Sequence, residues 1–501
     1  MRELVDALER HRDHEIACFE GGRVVRRPYA QLRDDVRVAV AALRSAGVGA
    51  RDHVGLCGAN SYRWMVLDLA CIELDAVSAA IAPDTAALRG TQALCDELDL
   101  ALLITDAPAP TTDERHICGF ASDEIAGAVA RRADPEPVPA DAFTMAFSSG
   151  TTGTPKAILM SAEGTLDAVA EYDRQLGFRE SDSIFVVLPL SAFPQRLMGY
   201  IALLCGFDIQ LATVADLMSA AVAMKPTIVV GPPAFFEPLE ARYRGLAAAG
   251  EQPRAGVEAF GGNVRLALTG AAPAQATTIT TLNDAGFPLV EFYGMTEVSV
   301  ISWNLPGHNR PGSAGRELRP GLVRLAADGE ITVRVSPQRS HGYYRDPALT
   351  ERTYGADGWV ATGDLGRFDG EWLYVTGRKK SVIVTRGGYK LQPEPIEQAL
   401  CADPAVAHAV VLGGEHARVL TAVVSLSGAD GGDAAHRLRE IVQRHNGMLP
   451  EPARIARLVV AGVGFTPGNG LLTRTLKVDR DAVSAALAST TDQPWTVLSV
   501  D

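Results

Sequence analysis

The sequence predicts an α/β fold with mainly parallel sheets, and changes in its apolar pattern divide the chain into parts. Over about the first 320 residues, short apolar runs ending at glycine or proline alternate with segments long enough for helices. Between about 323 and 376 the pattern changes to short strands and turns, and a smaller α+β pattern follows Gly377. We therefore expect a large α/β region, a β-rich subdomain and a small α+β region at the C-terminus.

The elements follow from local patterns. Helical spacing of Leu32, Val36, Val40 and Leu43 predicts a helix that stops at Gly47, a strand follows over 52–57, and Ser61 should cap a helix to residue 74. Further strands are predicted at 143–147, 184–188, 228–230, 264–268 and 289–292, and in the β-rich part at 331–335 and 372–375. In the C-terminal part we expect strands at 382–385, 405–412 and 419–426 and helices at 395–400 and 433–445.

Charge and composition exclude several classes of protein. A net charge of −13 over 501 residues argues against a nucleic-acid partner, because most of the surface would repel a phosphate backbone. The seven cysteines show no CxxC pair or metal-ligand spacing, which indicates buried thiols in a reducing compartment. We find no apolar signal core and no run of roughly 18 apolar residues that would suit a membrane span. The chain is expected to be cytoplasmic.

One loop offers the groups that a polyphosphate needs. After the strand over 143–147 the chain supplies hydroxyls, unhindered backbone N–H groups and a cation; the residues are Ser148, Ser149, Gly150, Thr151, Thr152, Gly153 and Lys156. The loop differs from the Gly-x-x-x-x-Gly-Lys-Ser/Thr phosphate loop, because Pro155 interrupts the amides and no such spacing is present. We interpret it as a nucleotide triphosphate site.

Lysine is rare in this chain, which draws attention to the positions that carry it. There are six lysines against 41 arginines. Five of the six lie in Gly-rich or turn-rich segments: Lys156, Lys379, Lys380, Lys390 and Lys477. A compact ammonium on a flexible stem can follow a phosphate as a point charge, whereas a planar guanidinium suits fixed forks.

Other segments extend the nucleotide hypothesis. The small residues Gly270, Ala271 and Ala272 follow a predicted strand, where an adenine can lie flat against backbone. In the run from Glu291 to Glu297, Tyr293 can offer a ring face to the base, Thr296 can donate to phosphate and Glu297 can hold magnesium. Asp364, after a predicted tight turn, suits the two ribose hydroxyls. Lys477 is a lone lysine near the C-terminus.

In this order, the segments resemble the adenylate-forming superfamily of acyl-CoA synthetases, adenylation domains and luciferases. The motifs that carry the resemblance span nearly the whole chain and lie at 148–156, 188–190, 270–273, 293–297, 342–347, 362–364, 377–380, 387–389, 393–397 and 477. The run 469–473 before Lys477 is most similar to the fatty-acyl-CoA synthetase branch.

The resemblance implies a two-step reaction, in which ATP and an acid give an acyl adenylate and pyrophosphate before a thiol accepts the acid. It implies an N-terminal core over 1–378, made of two layered sheets and the β-rich subdomain, and a mobile C-terminal domain over 379–501 that turns about Lys380. Lys477 would bridge acid and α-phosphate, with Thr296, Glu297 and Lys156 also catalytic and Glu297 the magnesium ligand. The implied nucleotide contacts comprise the loop residues 148–153, Gly270, Ala271, Ala272, Phe292, Tyr293, Gly294, Thr296, Asp364 and Arg378. CoA or the phosphopantetheine of a carrier protein would be the acceptor.

The acid side departs from the family pattern. Acyl-CoA synthetases commonly carry histidine or an aromatic residue shortly after Leu-Pro-Leu, and Ala192 stands there in this chain. Ala192, Phe193, Met198 and Val298 are the candidate pocket residues. One interpretation is an unusual acyl pocket; another is a diazotase that adenylates nitrite and passes it to an aromatic amine. A third is an inactive homologue that only binds AMP or ATP, which the presence of Lys477 and Glu297 disfavours.

Overall fold

The computed structural model describes residues 1–106, 116–131, 135–147, 156–248, 260–385, 389–403, 405–413, 419–426, 431–451, 454–473, 477–489 and 495–498. Two large sheets form the N-terminal part of the chain, and two small sheets form the C-terminal part. No helix among these residues is long and apolar enough to cross a membrane.

The first large sheet has thirteen strands, in the order β16-β17-β19-β20-β15-β14-β13-β12-β11-β9-β10-β1-β2. Their bounds are β1 Glu15–Glu20, β2 Arg23–Pro28, β9 Ser183–Val186, β10 Asp208–Leu211, β11 Ile228–Gly231, β12 Leu266–Thr269, β13 Leu289–Met295, β14 Ser299–Trp303, β15 Gly315–Glu317, β16 Val323–Leu325, β17 Glu330–Val333, β19 Val360–Asp369 and β20 Trp372–Arg378. Because β9, β11, β12 and the start of β13 are parallel, their carboxyl ends share one edge, where α/β sheets bind ligands.

The second large sheet has seven strands, in the order β18-β8-β7-β4-β3-β5-β6. The bounds are β3 His53–Cys57, β4 Val77–Ile81, β5 Leu100–Thr105, β6 Ile117–Cys118, β7 Ala142–Phe147, β8 Ala157–Ser161 and β18 Ser340–Tyr343. Strands β7 and β8 pair antiparallel on either side of the predicted phosphate loop. The chain before residue 148 and after Lys156 therefore belongs to one sheet.

The C-terminal part contains a two-stranded and a four-stranded sheet. The strands are β21 Ile383–Val384, β22 Lys390–Leu391, β23 Val406–Leu412, β24 Leu420–Leu426, β25 Ile455–Ala461 and β26 Trp495–Leu498. The helices of the described residues are α1 Arg2–Arg10, α2 Tyr29–Ser45, α3 Tyr62–Glu73, α4 Pro83–Arg89, α5 Thr91–Glu97, α6 Ser122–Gly127, α7 Ala162–Leu176, α8 Phe193–Cys205, α9 Leu217–Met224, α10 Glu237–Ala248, α11 Ala276–Asp284, α12 Pro347–Thr353, α13 Glu394–Cys401, α14 Gly431–Met448 and α15 Arg480–Ala488.

The main core lies between the two large sheets. A single apolar cluster joins residues of both sheets with the buried faces of α2, α3, α7 and α8, so these helices form a middle layer. Helices α10 and α11 cover the outer face of the first sheet, and α5 covers that of the second. The predicted cap of α3 is confirmed, since the hydroxyl of Ser61 accepts a hydrogen bond from the Trp64 backbone N–H. Layered α/β architecture, as predicted, is the fold class of this chain.

Three local predictions differ from the structure. The β-rich segment continues the thirteen-stranded sheet through β15 and β14, except that β18 joins the other sheet. Strand β13 runs on to Met295 because its second half pairs with β14, so Tyr293 lies within a strand and not after one. Asp364 likewise lies inside β19, next to Gly363 with a φ of +74°, where the expected tight turn is a local distortion of a paired strand.

Candidate active site

The predicted adenine platform lies at the shared carboxyl edge of the first sheet. Gly270 leaves β12, and a Cβ there would lie 2.6 Å from the Phe292 ring, so only glycine allows this close approach. Ala271 has a φ of +68°, unusual for a residue with a side chain, and Ala272 is half-buried beside it. Gly270 is buried against this ring, and Ala271 after it is exposed. A Cβ on Gly294 would collide with the backbone carbonyl of Ser299 in β14, at a point where the register of β13 and β14 shifts.

Tyr293, Asp364 and Arg378 form one cluster. The Tyr293 hydroxyl donates to one carboxylate oxygen of Asp364 at 2.7 Å, and the Arg378 Nε lies 3.0 Å from the other. Asp364 and Arg378 are directly paired across β19 and β20, so sheet register sets their contact. Burial, reinforced by the Asp364 charge, raises the pKa of Tyr293. The phenol therefore stays a donor, and the carboxylate stays fixed beside the platform.

Lys477, in the C-terminal part of the chain, is influenced by the charges of this cluster. Its pKa is lowered to about 8, first because the ammonium is removed from water and then by the Arg378 charge, while the Asp364 charge partly opposes the effect. Two hydrogen bonds join Lys477 to Thr473: the Thr473 N–H donates to the Lys477 carbonyl at 2.7 Å, and the Lys477 N–H donates to the Thr473 hydroxyl at 3.1 Å. The ammonium and the guanidinium together carry more positive charge than the single carboxylate balances. The site therefore favours binding of an anion.

Glu297 is the buried carboxylate of the site. Tyr343 donates its hydroxyl to Glu297 Oε1 at 2.6 Å, and the Ser340 hydroxyl donates to the Glu297 backbone carbonyl at 2.6 Å. Burial raises the pKa of Glu297, although the Tyr343 hydrogen bond and the Arg378 charge act against that rise. Thr296 is half-buried beside it. A carboxylate held this way is a ligand that magnesium accepts, so the donor set fits a magnesium–nucleotide complex.

The phosphate side is described only in part. Ser148, Ser149, Gly150, Thr151, Thr152 and Gly153 lie outside the described residues. Lys156 follows them at the start of β8, half-exposed, with its Nζ 3.3 Å from Asp346 Oδ2. The other oxygen of Asp346 caps α12 by accepting from the Leu349 backbone N–H at 3.0 Å. The cap fixes the carboxylate, and the carboxylate in turn orients Lys156.

The four predicted pocket residues lie at the start of α8 and directly after Glu297. Ala192 is the N-cap of α8, at the edge reached by β9, and Met198 is partly buried six residues further along the chain. Phe193 is buried, and its ring centroid lies 6.3 Å from that of Phe143. Val298 is buried after Glu297 in the main core. Phe193 and Val298 are therefore core residues at the border of the site.

Helix α8 also carries a charge that the sequence analysis overlooked. The Arg196 guanidinium is fully buried, pairs with the fully buried Asp68 at 3.0 Å and lies 5.4 Å from the Phe193 ring centroid. Tyr200 also donates to Asp68, and Thr144 of β7 accepts from Arg196 at 2.9 Å. This network ties the start of α8 to α3 and to the second sheet.

The hinge candidate lies where the two parts of the chain meet. Lys380 is exposed in a single 3-10 turn, Lys379–Ser381, directly after β20. The Gln275 side chain donates to the Gln398 carbonyl of α13 at 2.9 Å, and a Cβ on Gly377 would collide with Gln392. The C-terminal part is therefore seated against the N-terminal part on both sides of this turn.

Two further residues escaped the sequence analysis although their segments carried motifs. Tyr343 belongs to a motif segment but was given no role, since only the fold brings it to Glu297. Glu291 accepts from the Ala274 backbone N–H at 3.2 Å, and burial raises its pKa to about 8. Its place at the start of the Glu291 to Glu297 run was the available signal.

Comparisons with known proteins agree on one family. Residues 4–344 match the family described as AMP-binding enzyme, and residues 380–493 match the AMP-binding enzyme C-terminal domain. A long-chain-fatty-acid–CoA ligase, FadD15 of Mycobacterium bovis, is 26% identical over 92% of this chain and 90% of its own length.

Solved structures share the fold. O-succinylbenzoate coenzyme A synthetase (MenE) of Bacillus subtilis, in complex with ATP and magnesium ion, matches with a TM-score of 0.76 at 22% identity and covers 96% of this chain and 98% of its own. The anthranilate CoA ligase AuaEII, in complex with anthranoyl-AMP, matches with a TM-score of 0.77 at 21% identity, over 97% of this chain and 98% of its own. The predicted fold is confirmed by these matches.

Proposed function

This chain belongs to the AMP-binding enzyme family, and on that premise we propose that it is an ATP-dependent ligase. It joins an acid to AMP, releases pyrophosphate and passes the acid to a thiol. The family predicted from the motifs is confirmed, and the relatives named above are CoA ligases, so CoA is the first acceptor to test. The phosphopantetheine thiol of a carrier protein is the second acceptor to test, because it would accept the acid in the same way.

One observation carries the proposal: strand register pairs Asp364 with Arg378 beside Tyr293, and the charges of both act on Lys477. In the first step the acid oxygen attacks the α-phosphorus, and negative charge grows on the phosphate oxygens and the leaving pyrophosphate. Lys477 supplies positive charge where that growth occurs, and Asp364 accepts from the ribose hydroxyls. Glu297 would hold the magnesium ion, which supplies charge neutralisation at the phosphates.

The remaining site residues divide the other tasks. Gly270, Ala271 and Ala272 with Phe292, Tyr293 and Gly294 would form the adenine surface, and Lys156 with Thr296 and the loop over 148–153 would hold the phosphates. For the second step, residues 379–501 would turn about Lys380 and withdraw Lys477. The proposed boundary between the N-terminal core and the mobile C-terminal domain lies between residues 378 and 379.

The experiment measures AMP and pyrophosphate release against a panel of fatty, aromatic and short acids, with CoA, a phosphopantetheinylated carrier protein or no acceptor. Lys477→Ala should slow adenylate formation by about 10²–10³-fold, as for loss of one preorganised charge-stabilising donor. Arg457→Ala removes a cation from the exposed side of β25 and should leave the rate unchanged.

The panel also decides between the alternatives. The relatives give no support to the diazotase alternative, and nitrite with an aromatic amine is included as its test. Release of AMP with nitrite alone would overturn the acid–thiol assignment. No release with any acid, together with tight ATP binding, would favour the inactive homologue. Equal rates for wild type and Lys477→Ala would refute the role of the lysine.

A further inference from the structure

Strand β18 belongs to the second sheet but contacts the site in the first. Three hydroxyl groups link the two: Tyr343 bonds the Glu297 carboxylate, Ser340 bonds the Glu297 carbonyl, and the Tyr354 hydroxyl bonds Ser340. Glu297 is thus held through both its side chain and its backbone. Strand β18 in turn pairs with β8, the strand that begins directly after Lys156.

A carboxylate that serves as a cation ligand must be held in one direction, and hydrogen-bond partners outside the metal site usually do this. The Tyr343 hydroxyl lies 2.6 Å from Glu297 Oε1 and holds the side chain. The Ser340 hydroxyl lies 2.6 Å from the Glu297 carbonyl oxygen and holds the backbone.

The phenol that holds the carboxylate is itself held in place. The Tyr354 ring packs edge-on against the Tyr343 ring, with centroids 6.4 Å apart, and the Tyr354 hydroxyl is hydrogen-bonded to Ser340. The Glu297 carboxylate is therefore oriented by a donor whose own position is fixed by packing.

We infer that Tyr343 is a positioning residue, whose hydroxyl holds the Glu297 carboxylate in the direction in which it would meet the magnesium ion of bound ATP. The inference rests on the proposed function, since it assumes that Glu297 meets the metal. It also explains why a strand of one sheet reaches the hairpin of the other.

The test uses full-length protein and α,β-methylene-ATP, so that no acid needs to be known. Mn²⁺ binding to the enzyme–nucleotide complex is followed by electron paramagnetic resonance. Tyr343→Phe keeps the ring and removes the donor, and Mn²⁺ should bind about tenfold more weakly, as for loss of a hydrogen bond to a charged group. Nucleotide binding in EDTA should not change.

Tyr344→Phe is the matched control. It is the same substitution at the neighbouring position, and its hydroxyl donates to Asp99 at 2.6 Å instead of Glu297. Mn²⁺ binding should match wild type in this variant. Equal weakening in both variants would mean general disturbance of β18 and would overturn the inference.

A double-mutant cycle separates failure of the inference from failure of the proposed function. In a Glu297→Gln background, Tyr343→Phe should have no further effect on Mn²⁺ binding. A further tenfold loss there would overturn the inference while leaving metal-dependent ATP chemistry intact. If Glu297→Gln binds Mn²⁺ like wild type, Glu297 is not the ligand, and both ideas fail together. The comparison stays valid if Tyr343→Phe lowers the stability of the protein, because the substitution is made in both the wild-type and the Glu297→Gln background.

Discussion

The titration of Lys477 is the sharpest quantitative consequence of the site. Its pKa is about 8 in this arrangement against an ordinary 10.5. That difference corresponds to about 3 kcal/mol for keeping the ammonium where it lies, at one pKa unit per 1.36 kcal/mol. At pH 8 about half of the amine is then uncharged, whereas a lysine with a pKa of 10.5 has roughly 0.3% in that form.

The sign follows from proton counting. With its lowered pKa, Lys477 in the site binds fewer protons than the same lysine withdrawn to water. The arrangement that keeps Lys477 in the site therefore becomes more favourable as pH rises from about 8 towards 10.5. At pH 7 the lysine is charged, and keeping it in the site costs free energy when no anion is bound there. Bound ATP supplies that anion and should raise the pKa again. Nucleotide is thereby expected to stabilise the seated C-terminal part.

Competitive acetylation with peptide mass spectrometry measures this pKa directly. Trace acetic anhydride is applied over pH 6–11, and the exposed Lys225 serves as internal reference. The pH midpoint of labelling at Lys477 gives its pKa, and this midpoint does not depend on how accessible the side chain is. We expect a midpoint near 8 without nucleotide and a higher one with α,β-methylene-ATP and magnesium. Arg378→Met should raise the nucleotide-free midpoint, and Asp364→Asn should lower it. A midpoint near 10.5 in the free protein would refute the placement of Lys477.

Two further predictions concern the hinge and the buried network. Lys380→Pro should spare pyrophosphate release in the first step and impair thioester formation from preformed adenylate, because the fixed φ restricts the turn between the two parts; a variant with both half-reactions intact would rule out a hinge there. Asp68→Asn should destabilise the N-terminal part by about 3–5 kcal/mol in urea, since it leaves the Arg196 charge buried and unpaired. Asp34→Asn removes an exposed ion pair with Arg37 and should cost less than about 1 kcal/mol, and equal losses at the two positions would contradict the reasoning.

Local pattern was sufficient for most elements of the fold. The Ser61 cap, the α3 helix after it and the strands that end at glycine were predicted because their signals involve residues adjacent in sequence. The errors arose where pairing with distant strands overrode the local signal. Tyr293 was expected after a strand and Asp364 after a tight turn, yet pairing with antiparallel neighbours places both inside strands.

The same distinction holds for the site. Sequence motifs alone made Lys156, Glu297, Asp364, Arg378 and Lys477 candidates, since each chemical type stands in a recognisable segment. Their arrangement depends on the fold: strand register pairs Asp364 with Arg378, and the charges of both act on Lys477 from the other part of the chain. Tyr343 was assigned only in three dimensions, because a hydrogen bond between two sheets leaves no trace in the spacing of either strand.

What the sequence determined by itself is the class of fold and the chemistry on offer: hydroxyls, glycines, carboxylates and a few retained lysines in a fixed order. What the tertiary structure decided is the direction of each group and the charge it carries. Burial raises the pKa of Glu297 and lowers that of Lys477, and burial is a property of the packed chain and not of any segment.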